Sequence, residues 1–402
     1  MKKSAMKSPY PEINPTIVVS AYNRPQALAR LLQALAGANY PDDQQVRLHI
    51  SIDRGEGSAA QEVRRLSQEF NWPHGPKQVV CHTEHLGLLK HFFLCGQLAC
   101  QYEAIILLED DLLVSPQFYN YATQALAFYG GDERIAGISL YALWFNGYTH
   151  FPFTPLPDAS DIFFLQVPYT QGQAFSKEQW LAFGEWHASP GQHNWTNQGV
   201  HEMFTHFDAE DWFPVRTRYL VETRRYYVFP RQSLATGFGD AGTHFSQLSH
   251  FFQVALQNYQ DQFRLLPFDQ APAVYDSFFE ILPERLDRLT ERFHGFSYCV
   301  DLNGTKSKNN LDAEYILTTR PARQAEMNFG RLMRPPEANL IAGVPGYGIH
   351  LCRKEDLLWG YSAELAVRKG NYDYAARKHP LGRKVLAQFA FYEWMKRLRI
   401  WK

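Results

Sequence analysis

A chain that runs Ala104-Ile105-Ile106-Leu107-Leu108 straight into Glu109-Asp110-Asp111 has few ways to fold. Five apolar residues without alternation read as a strand covered on both faces, as in a parallel sheet with helices on either side. The three carboxylates then fall where the strand leaves the sheet, the edge at which open α/β sheets bind ligands. Adjacent negative charges repel one another, so the position asks for a counter-ion. A hard divalent cation carrying a polyphosphate fits, because such ions take oxygen from one or two carboxylates plus phosphate. The alternative is an acidic loop cap, and the rest of the chain weighs between the two.

Strand and helix signals alternate on both sides of this run. Ile17-Val18-Val19 is a short buried strand that leads into Ser20-Ala21-Tyr22-Asn23-Arg24-Pro25. Asn23 can cap the next helix and Pro25 suits its first turn. Leu28, Leu31, Leu32 and Leu35 recur at helical spacing, and Gly37 closes the element. Val46, Leu48, Ile50 and Ile52 alternate as a second strand ending at Asp53-Arg54-Gly55. Val79-Val80 begins a third, followed by His85-Leu86-Gly87 and a helix to about Gln101. After the acidic triplet, Ser115-Pro116 opens another helix, with Ser115 as its cap, and Ile135 to Leu140 is a fifth strand. The pattern predicts a doubly wound α/β domain.

Beyond about residue 150 the pattern loosens. Phe151 to Trp212 is crowded with Pro, Gly and aromatic residues and reads as long binding loops more than regular elements. His250 to Arg292 reads as helices. Phe296 to Leu351 reads as a small β-rich unit with strands at Tyr315-Ile316-Leu317 and Leu340-Ile341-Ala342. The boundaries that follow are a main domain over 14–255, a helical connector over 256–293, a β-rich domain over 294–355 and a helical tail over 356–402.

Composition narrows the function. With 40 basic and 41 acidic residues the chain is nearly neutral, which argues against a general nucleic-acid binder. The five cysteines, an odd number without zinc-type spacing, read as reduced and mostly buried thiols of a cytoplasmic protein. Met1 to Pro15 is polar and reads as no signal peptide, and no apolar run approaches a membrane span. Aromatic residues are plentiful, which suits sugar stacking as well as an ordinary core.

Taken in order, Arg24 after a first strand, Asp53 after a second, Glu109-Asp110-Asp111, Asp211-Trp212 and Gly237-Phe238-Gly239-Asp240-Ala241-Gly242-Thr243-His244 resemble the GT-A class of nucleotide-sugar glycosyltransferases. The series is closest to family-2 enzymes and to N-acetylglucosaminyltransferase I, and covers roughly the first 250 residues. The resemblance implies a GT-A mixed sheet flanked by helices, a nucleoside-diphosphate sugar donor (a UDP-sugar), a glycan or lipid-linked acceptor, and Mn²⁺ or Mg²⁺. The setting it suggests is polysaccharide biosynthesis at a bacterial surface.

It also implies roles. Ser20, Tyr22 and Arg24 fall in the donor-binding opening, with Arg24 on a phosphate or the base. Asp53 is placed to accept from a uracil N3–H, and its alternative is a turn-forming aspartate before Gly55. Asp110 contacts the ribose, Asp111 ligates the metal, and Glu109 supports the site. Lys90 reaches a phosphate, or is simply a solvated lysine. His244 is the second metal ligand, or a loop residue bonded to phosphate or backbone. The glycine-rich loop Gly237–Gly242, Gly239 included, is a lid ordered by the donor. Asp211 is the general base of an inverting transfer and Glu210 the alternative one position away. An acidic helix start would place the same residues there. Trp180 and Trp212 are either sugar platforms or core.

From Leu381 to Lys402, Leu386, Ala390, Trp394 and Leu398 share one helical face among basic residues. Such a helix lies in a membrane interface or docks on the protein, and peripheral contact at the inner membrane face follows from the first reading. A nucleotidyltransferase is disfavoured, since Ser20–Arg24 is not its basic glycine-rich loop. A non-catalytic GT-A-like scaffold of a glycan-assembly complex remains the alternative to an enzyme.

Overall fold

The computed structural model describes residues 13–189, 198–208, 211–240 and 250–359, together with Ala387, Ala390, Phe391 and Trp394. Its first half alternates as expected. The order is β1 (Thr16–Ala21), α1 (Pro25–Ala36), β2 (Leu48–Ile52), α2 (Gly57–Glu69), β3 (Lys77–Cys81), α3 (Gly87–Tyr102), β4 (Ala104–Glu109), β5 (Leu112–Val114), α4 (Phe118–Tyr129) and β6 (Ile135–Ser139). Then come β7 (Ile162–Leu165), β8 (Gln173–Ser176), α5 (Lys177–Ala188), α6 (Trp212–Glu222), β9 (Tyr226–Pro230), β10 (Ala235–Gly237) and β11 (Val274–Tyr275). The last third holds α7 (Pro283–Leu286), β12 (Tyr298–Asp301), β13 (Tyr315–Thr318), β14 (Met327–Phe329), α8 (Glu337–Ala342) and β15 (Ile349–Arg353).

Nine strands form one mixed sheet in the order β11-β7-β9-β6-β8-β4-β1-β2-β3. The half β4-β1-β2-β3 is parallel, and β8 runs antiparallel between β4 and β6. Parallel strands are buried on both faces, so their apolar runs split in two directions. Ile17, Val19, Ile106 and Leu108 pack with α1 and α4, while Val18, Ile105 and Leu107 pack with α3, α5 and α6. This burial is what the unbroken run Ala104–Leu108 encodes. It also explains why His49 and Ser51, at the polar positions of β2, are as buried as their apolar neighbours.

A separate four-stranded sheet, β12-β13-β15-β14, follows. Val300, Leu317 and Leu351 from it share one apolar cluster with Phe92 of α3 and Trp212 of α6. Three local expectations fail here. Leu340–Ala342 is helical, within α8, because three apolar residues carry no readable period and the flanking Pro336 and left-handed Gly343 are helix punctuation. The stretch 256–293 contains the single α-turn α7 and two short 3₁₀ turns. Buried Phe268, Ala271, Val274 and Tyr275 imitate a helical period, but Pro267 and Pro272 break it. Conversely, 151–212 holds β7, β8 and α5, whose aromatic residues are core.

Caps differ as well. Arg24, not Asn23, occupies the N-cap position of α1, with no side-chain cap. Ser115 accepts from Gln117 N at 3.0 Å, ahead of a helix that starts at Phe118. All five cysteines are unpaired, three of them buried. Among the described residues no helix is long and apolar enough to cross a membrane.

Candidate active site

Because α1 follows β1 and α3 follows β3, both helices start at the C-terminal edge of the parallel strands. Helix α6 leads into the start of β9, so it too starts at that edge. Three helix N-termini converge where β4 delivers its carboxylates, and none has an acid in its own first turn. Such ends favour an anionic ligand.

Among the described residues the acidic triplet has one counter-ion. Arg24 places Nη2 2.7 Å from Asp110 Oδ1 and Nη1 2.7 Å from Asp111 Oδ2. Asp110 is 2% exposed and also accepts from Tyr22 N at 3.2 Å. Its Oδ1, although close to Arg24, lies outside hydrogen-bond geometry. One guanidinium does not balance the cluster. Burial lifts the Glu109 carboxyl to about 8, with the charges of Asp111, Asp110 and Asp211 adding and Arg24 opposing. Burial likewise lifts Asp110 to about 6, against the pull of Arg24. Among the described residues, Asp110 and Asp111 share a single arginine.

That Asp211 acts on Glu109 brings the start of α6 within electrostatic reach of the triplet. Asp211 is the N-cap of α6 and accepts from Phe213 N at 2.9 Å through Oδ1. Helix α6 is fixed from behind. Trp212 stacks on Phe92 at 4.3 Å and 5°, and Arg216, fully buried, sits among the rings of Phe175, Trp180, Phe183, Tyr219 and Tyr227. Trp180 and Trp212 are thus core, each 2% exposed. Glu210 lies outside the described residues.

The glycine loop is brought to the same place by a short ribbon. Strand β10 pairs antiparallel with β5, and Gly237 faces Leu112, the residue after Asp111. Gly237 N donates to Gln171 Oε1 at 2.9 Å. Beyond it, Gly239 takes φ +68, Asp240 pairs with Arg30 of α1, and Arg30 lies 4.1 Å from the centre of the Phe238 ring. His244 lies outside the described residues.

Other predicted residues have different partners from those expected. Asp53 Oδ1 accepts from Arg54 N and Leu86 N, each at 2.7 Å, and Oδ2 accepts from Gly87 N at 3.2 Å and faces His85 Nδ1 at 3.0 Å. A carboxylate has about four acceptor directions, and all are taken. Asp53 here anchors the start of α3, and the exposed His85 is its one exchangeable partner. Ser20 Oγ lies 3.1 Å from His91 Nδ1, and His91 Nε2 lies 2.8 Å from Ser51 Oγ. These hydrogen bonds tie β1, β2 and α3 together. Burial lowers the His91 pKa to about 4, so the ring is neutral. Lys90 is exposed on α3 without an ion pair among the described residues. Sequence reading passed over His91 and Gln171, whose partners lie 40 and 66 residues away and leave no local signal.

Among the described residues no three Asp, Glu, His or Cys side chains gather as a ligand set. The donor set still fits a hard divalent cation. Asp111 is partly exposed, Asp110 offers a buried oxygen lacking a hydrogen bond, and such ions commonly take one or two carboxylates with phosphate and water.

No protein-family profile matches the chain, and no curated protein does. Similar solved structures exist. One is residues 1–349 of S. aureus TarS, with TM-score 0.33, 13% identity, and coverage of 56% of this chain and 60% of that one. Another is the mannosyltransferase PcManGT from Pyrobaculum calidifontis with GDP-Man and Mn²⁺, with TM-score 0.30, 16% identity, and coverage of 46% and 51%. A third is GalNAc-T7 with UDP, GalNAc and Mn²⁺, with TM-score 0.36, 13% identity, and coverage of 54% and 42%. The chain spans about half the length of these structures. Likeness at these TM-scores carries no argument about the site. The structure itself shows a large mixed sheet flanked by helices and a separate smaller sheet.

Proposed function

We propose that this chain is a metal-dependent glycosyltransferase that moves a hexose unit from a nucleoside-diphosphate donor, a UDP-sugar, to a glycan or lipid-linked acceptor with inversion. The observation that carries this reading is the excess of carboxylate over cation at the sheet edge. Among the described residues Glu109, Asp110, Asp111 and Asp211 face one arginine, Arg24, at the start of α1.

The residues divide the work as follows. Tyr22 and His85, with ring centres 5.4 Å apart at the mouth of β1 and β2, receive the base, and Asp53 takes its N–H in place of His85. Asp110 binds the ribose, and Asp111 holds Mn²⁺ or Mg²⁺, with His244 as a further ligand. The metal supplies charge neutralisation at the departing diphosphate. Arg24, released from Asp111, turns to phosphate. Asp211 takes the proton of the acceptor hydroxyl as that oxygen attacks the anomeric carbon. The ribbon β5–β10 lets the loop from Gly237 follow the donor. The tail supplies peripheral membrane contact at the cytoplasmic face, which the exposure of Phe391 and Trp394 supports.

Calorimetric titration with UDP-, GDP- and dTDP-sugars, with and without Mn²⁺, tests the reading. Affinity for one nucleotide sugar that rises with Mn²⁺ is expected. Binding that ignores the metal, or no binding at all, would leave a scaffold as the better description.

A further inference from the structure

We propose that the connection between β14 and β15 is a docking knob for an anionic lipid surface, distinct from the C-terminal helix and independent of the donor reading. At this end of the small sheet, Leu332, Met333 and Tyr347 are 82%, 45% and 85% exposed. Strands β14 and β15 pair with Phe329 opposite Ile349, so the segments that follow and precede them leave the sheet side by side. A Cβ on Gly346 would lie 2.7 Å from the Gly330 Cα, and one on Gly348 would lie 2.8 Å from the Arg331 Cβ. Only glycine lets the two segments approach so closely.

The loop that displays Leu332 and Met333 is held rather than loose. Asn339, fully buried, accepts from Leu332 N at 2.8 Å and Met333 N at 2.9 Å, and donates to Met333 O at 3.1 Å and Pro336 O at 2.9 Å. Four hydrogen bonds to one buried amide fix two apolar side chains facing water. A fold has no use for that arrangement on its own account, because the side chains gain nothing until something apolar covers them.

Charge selects the cover. From Met327 to Arg353 the only carboxylate is Glu337, 4% exposed and bonded to the Tyr275 hydroxyl at 2.7 Å. The exposed rim carries Arg334 beside the half-buried Arg331. Aliphatic tips to enter the acyl region, a tyrosine at headgroup level and arginines for lipid phosphate match an anionic bilayer.

Co-sedimentation of the full chain with vesicles tests this. The chain should pellet with mixed phosphatidylcholine–phosphatidylglycerol vesicles and not with phosphatidylcholine alone. The combined Leu332→Ser, Met333→Ser and Tyr347→Ser variant should keep its melting temperature, since all three side chains are exposed. Its partitioning should fall at least tenfold, about 1.4 kcal/mol. The single variant Tyr347→Trp, read as its difference spectrum against the parent with its nine tryptophans, should show blue-shifted emission on addition of the mixed vesicles. The proposal is overturned if the triple variant partitions like its parent, if the parent ignores the mixed vesicles, or if the emission of the Tyr347→Trp variant does not move. The last two results would point to a protein partner for the knob.

Discussion

Replacing Arg24 by methionine tests the charge reading of the site without any knowledge of substrate. In the parent, Asp110 has its carboxyl raised from the usual 3.8 to about 6, so above pH 6 it is ionised in both the folded and the unfolded chain. Without Arg24, a side chain 2% exposed keeps its hydrogen bond from Tyr22 N but loses its ion pair beside the neighbouring carboxylates, and it stays protonated in the folded state to higher pH. Folding then takes up a proton that the parent does not take up. Each pH unit above about 6 should cost the variant about 1.4 kcal/mol relative to the parent. The loss is about 1.4 kcal/mol near pH 7 and twice that near pH 8. Below pH 6 the carboxyl is protonated in both folded proteins and the difference should close. The half-exposed pair with Asp111 adds only tenths of a kcal/mol. Urea unfolding in chelator at several pH values reads this out. A loss of equal size at pH 5 and pH 8 would mean that Arg24 acts by packing, and the account of an undercompensated site would fail.

Asp111→Ala should fold normally and lose Mn²⁺-coupled donor affinity; unchanged affinity in calorimetry would remove Asp111 from the metal site. Asp211→Asn should keep donor affinity and slow transfer by roughly 10²–10⁴-fold, as expected for loss of a general base. Glu210→Gln, assayed beside it, decides the register: if it alone abolishes transfer, the base is Glu210. In chelator, Glu109→Gln should remove a fall in stability that runs from about pH 4.5 to about pH 8. The folded carboxyl at about 8 holds a proton that the unfolded chain has released. A fall that persists in the variant assigns that proton elsewhere. Asn339→Ala should lower stability by about 2–4 kcal/mol in denaturant melts, since four backbone groups lose partners and water restores some of them.

Much of the fold was legible because parallel strands write themselves as unbroken apolar runs. Ala104–Leu108 and Ile17–Val19 gave the sheet centre, and the leucines of α1 gave the face that covers it. Helix α2 carried no comparable signal, since only Ala60, Val63 and Ser67 are buried along it. The second half misled for a physical reason. Aromatic residues such as Phe163, Phe175 and Trp180 suggest binding loops by composition, but an antiparallel insertion needs them as core. The positions of Arg24, Asp53 and the triplet at strand ends were legible because each follows its strand directly. The site was illegible where partners meet through space. Asp53 proved occupied by backbone N–H groups 33 and 34 residues away, and Ser20 by His91.

Trp212 has an optical consequence. It adjoins Asp211 and lies nearly parallel to Phe92 at 4.3 Å, in a fixed and asymmetric setting. Its transitions should therefore contribute a sharp near-ultraviolet circular dichroism band. Any reorientation of α6, and with it of the neighbouring carboxylate, would change that band's sign or strength. The chain thus carries, one residue from the proposed base, a built-in chromophore whose spectrum follows the helix in solution without an added label.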